Sequence, residues 1–288
     1  MARISMMNVA GWLYSIAIVL FLFLPVMIIL PASFSDSTML EFPPVSFTLV
    51  KYTNILSSDV WQQSASVSLR IALAAACLAT LVGMLVALAQ YRYSALSGWM
   101  RSFLMLPLII PNIILASGLF PILLRIGGLG SEWILVITGT AISVPIVMIT
   151  LVSAFDTLDP LLWTAASSLG ARSLRIIGSI LAPLVAISIV MSMLLAFHTV
   201  WDETTFAVFV GPIVSPPLTS KIYAYLQQSI SPEIAAIASI LLYITLIGSV
   251  LMFGLSKLAG KRNRFVDAST LSAASDTESP SVHPAPHS

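Results

Sequence analysis

Five residues at the end of one apolar run offer most of the chemistry this sequence could perform: His198, Thr199, Trp201, Asp202 and Glu203. At helical spacing His198 and Asp202 fall four apart on one face, as do Thr199 and Glu203. Adjacent carboxylates at the rim of a cavity attract a cation, and an indole face beside them suits an ammonium group. The same residues also fit the boundary between hydrocarbon and water, where acids stay hydrated and Trp joins an interfacial belt. Constellations for covalent chemistry are missing from the apolar runs. They contain no paired aspartates, no H-E-x-x-H and no G-x-S-x-G, and no G-x-x-x-x-G-K-[ST] phosphate loop occurs anywhere. Cys77 is the single cysteine and can form neither an internal disulfide nor a metal cage. His283 and His287 lie in a polar tail and make poor ligands.

The elements that must position these residues are membrane spans. Of 288 residues, 58% are hydrophobic and 9% charged, with a mean hydropathy of +1.00. A soluble domain carries about 25% charged residues, so the solvent for this chain is lipid. A net charge of +1 leaves no footprint for nucleic acid. Uncharged intervals fall at residues 4–35, 71–91, 102–124, 133–155, 176–201 and 234–256. Each suffices for the roughly 20 residues a crossing helix needs, and helix is the conformation that satisfies its own backbone in lipid. The first interval exceeds the 7–15-residue core of a secretory signal, so it reads as a span. Small residues Ala72, Ala74, Ala75, Ala76, Ala79 and Gly83 predict close helix packing in the second interval. Pro107, Pro111, Gly118 and Pro121 in the third, with Gly139 and Pro145 in the fourth, predict kinks. Gly211, Pro212, Pro216 and Pro217 rule out a straight span across 204–220, which reads as an outer loop partly tucked into the protein. Ser231-Pro232-Glu233 reads as the start of the sixth helix.

Residues 158–183, LDPLLWTAASSLGARSLRIIGSILAP, cannot lie in hydrocarbon, because Asp159, Arg172 and Arg175 would each cost about 2.5–3.5 kcal/mol there. Pro160 suits a first helical turn. Ala165, Ala166, Ser167 and Ser168 leave a nearly bare helix face, and Gly170 can end the helix in a left-handed conformation. Lys and Arg placement orients the chain. With the N-terminus inside, nine of the 13 basic residues (Arg3, Arg92, Arg101, Arg172, Arg175, Lys257, Lys261, Arg262 and Arg264) fall on the cytoplasmic side, with the 158–183 stretch among them.

This stretch resembles the signature loop of ABC importer permeases, E-A-A, three residues, G, then a hydrophobic position and L-P. Ala165 and Ala166 hold the Ala positions, Leu169, Gly170 and Ala171 surround the Gly, and Pro183 follows thirteen residues later. Thr164 stands where the family has an acid, and Ala182 where it has Leu. Trp201-Asp202-Glu203, Gly211-Pro212 and Ser231-Pro232-Glu233-Ile234-Ala235-Ala236 further resemble the spermidine/putrescine-type permease subgroup.

The resemblance implies an all-α membrane protein of the ABC importer permease type, with six transmembrane helices and a cytoplasmic coupling helix. It implies a permease, not an enzyme, with no cofactor of its own, working in a bacterial cytoplasmic (inner) membrane. Its partners would be an ATP-binding subunit, a second permease expected to be a different chain, and an extracytoplasmic solute-binding protein. The coupling surface would comprise Thr164, Ala165, Ala166, Leu169, Gly170, Ala171 and Pro183. The solute, polyamine-like or another cationic amine, would pass Trp201, Asp202, Glu203, His198 and Thr199. The expected organisation is a cytoplasmic N-terminus at 1–10, a permease domain at 11–260 with its coupling loop at 156–183, and a disordered cytoplasmic tail at 261–288. The alternative is an ion-coupled carrier or channel without an ATPase. That class needs ionisable groups deep in the membrane, and the six intervals offer none beyond His198.

Overall fold

The computed structural model describes residues 6–37, 41–94, 96–228, 231–250 and 253–254, with side chains from residue 11 onward. The tail at 261–288 lies outside the described residues. The regular elements among these residues are helices, joined by loops and one isolated β-bridge between Ser35 and Phe47: α1 (Met6–Ser33), α2 (Val50–Ser57), α3 (Asp59–Tyr93), α4 (Gly98–Ile109), α5 (Asn112–Ile126), α6 (Glu132–Phe155), α7 (Leu161–Ser168), α8 (Ser173–Ile176), a π-helical turn (Ile177–Leu181), α9 (Ala182–Leu184), α10 (Ala186–Trp201), α11 (Thr205–Val210), α12 (Leu218–Gln228) and α13 (Pro232–Val250). Four described helices, α1, α3, α6 and α13, are each long and apolar enough to cross a membrane. Counting each of two bent pairs as one span gives six.

The bent pairs are α4–α5, at 94°, and the α8–α9 run with α10, at 78°. The first break has a direct cause. Pro111 has no N–H to continue α4, and Ile110 leaves the helix in an extended conformation at ψ 128°. The second follows the π-helical turn just before Pro183, whose ring crowds the carbonyl one turn earlier and widens the helix. Pro145 behaves otherwise. α6 runs unbroken through it, and the ring is fully buried between neighbouring helices. The helix continues through Pro145, so this proline does not break α6 as Pro111 ends α4. α3 also begins earlier than its uncharged interval suggests, at Asp59, and Arg70 within it pairs with Glu132 of α6 at 3.0 Å.

The core is α3, α6 and α10. Small residues set their separation, as expected for helices that must attract through close packing in lipid. A Cβ at Gly83 would strike the Val147 side chain, and one at Gly139 would sit 2.9 Å from Val200 Cγ1. α3 and α6 run parallel. Arg70 and Glu132 meet at one end, and the Tyr91 and Phe155 rings meet at the other, 5.6 Å apart. α1 stands apart from this core, with residues 11–25 all exposed.

Candidate solute pathway and coupling surface

α7 hangs below the Phe155 end of the bundle. Asp159 opens it by accepting the Leu161 N–H on Oδ1 at 2.8 Å, with Pro160 just inside the turn. It closes as a Schellman motif: Ala171 N–H donates to Ala166 O at 3.1 Å, and Gly170 N–H to Ser167 O at 3.0 Å. Gly170 holds φ +80°, the left-handed conformation expected of it. Thr164, Ala165 and Leu169 are exposed, Leu169 at 90%, as are Gly170 and Pro183. Ala171 is half-buried. Ala166 departs from the bare-face reading, because it turns inward and is buried in the same apolar cluster as Phe155.

Two contacts tie this helix to the end of α3. Tyr91 OH donates to Asp159 O at 2.7 Å, and the Arg92 guanidinium lies 5.3 Å from the Trp163 ring centre. The sequence reading missed both. A Tyr-Arg pair closing a span is an interfacial signal, but nothing in it names Trp163 as the partner.

At the opposite end the expected pathway residues separate into two groups. Asp202 is exposed, and His198 Nδ1 approaches its Oδ2 at 3.6 Å, so the predicted i, i+4 pair forms. Glu203 is already occupied. Its Oε1 accepts the Thr205 and Phe206 N–H groups at 2.7 and 3.3 Å, and its Oε2 accepts Asn112 Nδ2 at 2.6 Å. It therefore seals the start of α11 and fastens the first residue of α5 to the end of α10. Trp201 is buried and stacked on Phe197, with ring centres 5.7 Å apart, so it presents no open face to solvent. Its indole N–H is buried without a partner beside a narrow cavity that Ser68, Thr138 and Thr219 also line. Thr199 returns its hydroxyl hydrogen to Leu195 O at 2.9 Å and lines a separate cavity at the α4–α5 break.

Sequence reasoning overlooked Asn112 and Lys221. Asn112 was legible as the one amide between Pro111 and an apolar run, since a polar side chain within a span is a functional signal. Lys221 is one of the four basic residues outside the cytoplasmic set, and nothing in the sequence marks it as buried. It is buried, its Nζ donates to Val60 O at 2.8 Å, and it lies 5.0 Å from the Trp61 ring centre. Burial pushes its pKa below the ordinary lysine value.

An all-helical membrane bundle with a Gly-terminated helix at one end and a polar-lined broken span within it defines a transporter permease. The same fold occurs in the crystal structure of a bacterial ABC transporter involved in the import of the acidic polysaccharide alginate. The TM-score is 0.62 at 12% identity, over 89% of this chain and 98% of that one. The chain belongs to the family of binding-protein-dependent transport system inner membrane components, which matches residues 79–265. It is 29% identical to the spermidine/putrescine transport system permease protein PotC of Escherichia coli K12, over 80% of this chain and 88% of the relative. The PotC of Haemophilus influenzae is likewise 29% identical, over 84% and 93%. The putrescine transport system permease protein PotI of E. coli K12 is 25% identical, over 77% and 82%.

Proposed function

We propose that this chain is one permease subunit of an ATP-driven importer for a polyamine-like cationic amine. It performs no covalent chemistry and holds no cofactor. A separate ATPase engages α7 through Thr164, Ala165, Leu169 and Gly170, with Ala166, Ala171 and Pro183 setting the shape of that surface. A second permease, of different sequence, completes the passage, and a solute-binding protein delivers the amine from outside. Both termini are cytoplasmic, and residues 36–66 and 204–232 face outward. The observation that carries the coupling role is the left-handed Gly170 closing an exposed helix, in a chain of this family. The names of the PotC and PotI relatives support the amine. So does Asp202, an exposed carboxylate at the rim of α10 with His198 beside it. Asp202 draws the amine inward past His198, Thr199 and the buried Trp201, while Glu203 keeps the rim in shape.

The test is uptake of radiolabelled putrescine by proteoliposomes carrying both permeases, the ATPase and the binding protein. Uptake should require ATP hydrolysis on the ATPase side and the binding protein on the other. Uptake driven by an ion gradient with the ATPase omitted would contradict this reading and favour the carrier.

A further inference from the structure

The α4–α5 break opens a cavity of about 310 Å³, with residues 107–112 on one side and Ile142, Ile146 and Thr199 on the other. Its polar groups are biased toward acceptors. The last carbonyls of a helix have no intrahelical donor, and here the chain makes none good. Pro111 has no N–H for Pro107 O, Ile110 N–H donates to Leu106 O instead, and no turn or cap bond reaches the oxygens of Pro107, Leu108 or Ile109. Asn112 gives one of its two amide N–H groups to Glu203, which fixes the amide plane and leaves Oδ1 as an acceptor. Thr199 spends its hydroxyl hydrogen on Leu195 O and keeps its lone pairs. The bent pair also presents the positive end of α5, where Asn112 retains a backbone N–H. The Glu203 carboxylate, 2.6 Å from Asn112 Nδ2, offsets that end. The negative end of α4 has no such counter-charge, and no Lys, Arg or His lines the cavity.

Resting on the importer reading above, we propose that this cavity is an ammonium cradle. The carbonyls ending α4, Asn112 Oδ1 and Thr199 Oγ1 receive the N–H groups of a primary ammonium, and Ile142 and Ile146 flank its methylenes. Unwound carbonyls at a broken span suit a cation stripped of water, because each water removed is replaced by a fixed oxygen dipole. Glu203 then acts as a positioning residue, holding Asn112 so that its oxygen stays available without touching the solute.

Two measurements on the assembled transporter test this. First, with Cys77 replaced by Ala, Ile146→Cys is labelled with a cationic and an anionic methanethiosulfonate of similar size. Each rate is divided by that reagent's rate with a free small thiol. The cradle predicts a cationic preference of about tenfold, the factor a modest electrostatic bias supplies, and slower labelling in the presence of putrescine. Equal corrected rates would overturn it. Second, Thr199→Val should lower the uptake of labelled putrescine about tenfold, and Thr199→Ser should restore it. Wild-type uptake in Thr199→Val, from a complex that transports putrescine, removes the cradle and leaves the importer reading standing. A cationic labelling preference in a complex that takes up no putrescine supports the cradle and removes the polyamine reading.

Discussion

Gly170 offers the cleanest perturbation of the coupling surface. Its φ of +80° lies where a side-chain Cβ meets the following carbonyl, and a built Cβ there finds nothing else within 4 Å. The cost of Gly170→Val is therefore conformational and local, about 1–2 kcal/mol. The two Schellman bonds, Gly170 N–H to Ser167 O and Ala171 N–H to Ala166 O, depend on that conformation. The same energy that strains Gly170 is thus available to open the end of α7 and shift Leu169. A penalty of that size changes the population of the closed helix end by a factor of about 5–30. The assay is uptake normalised to the amount of permease in the membrane, with ATP hydrolysis by the assembled complex measured beside it. Gly170→Val should lower both, while the protein still reaches the membrane. Gly170→Asn should lose less, because Asn tolerates the left-handed region. Equal uptake by glycine, asparagine and valine would refute the role given to this turn.

The two rim acids should part company. Asp202→Asn should reduce uptake up to about tenfold, with thermal stability unchanged, since a carboxylate 4 Å from an ammonium supplies a few kcal/mol before desolvation and salt discount it. Glu203→Leu should lower the melting temperature of the purified permease, because it strands the Thr205 and Phe206 N–H groups and the Asn112 amide, at about 1–3 kcal/mol for each buried donor left unpaired. The reverse pattern would exchange their roles. For Lys221, burial lowers the folded-state pKa, so the unfolded chain binds the extra proton in the window between that value and the ordinary one. Stability should rise with pH through that alkaline window and stay level with respect to Lys221 below it, and Lys221→Met should flatten the slope. Topology is checked by thiol labelling from outside, which should reach a cysteine at position 57 or 217 and miss one at 168.

Much of the architecture was legible because lipid makes it so. Apolar runs must be helical, and the runs at 71–91 and 133–155 appear as parts of α3 and α6. Gly170 was legible for a local reason, since a lone Gly after a helix-compatible run has few other uses. The breaks were only half legible. Pro111 and Pro145 look alike in sequence, yet one ends a helix at a 94° bend and the other lies inside a continuous one. The difference is tertiary: Pro145 is packed on all sides, whereas Pro111 is exposed. The rim shows the same limit. Asp202 and Glu203 are adjacent acids in sequence, and only the fold brings Asn112 and the start of α11 to one of them. Lys221 was illegible as a buried group, because the Val60 carbonyl and Trp61 ring that receive it lie far back in the chain.

The central claim is that α7 transmits the work of a separate ATPase to this bundle. It is tested most directly by ATP hydrolysis in nanodiscs holding both permeases and the ATPase, with and without the solute-loaded binding protein. Hydrolysis should rise when the loaded binding protein is added, and that rise should vanish in Gly170→Val. A rise of equal size in Gly170→Val, or uptake by the two permeases with no ATPase present, would contradict the claim.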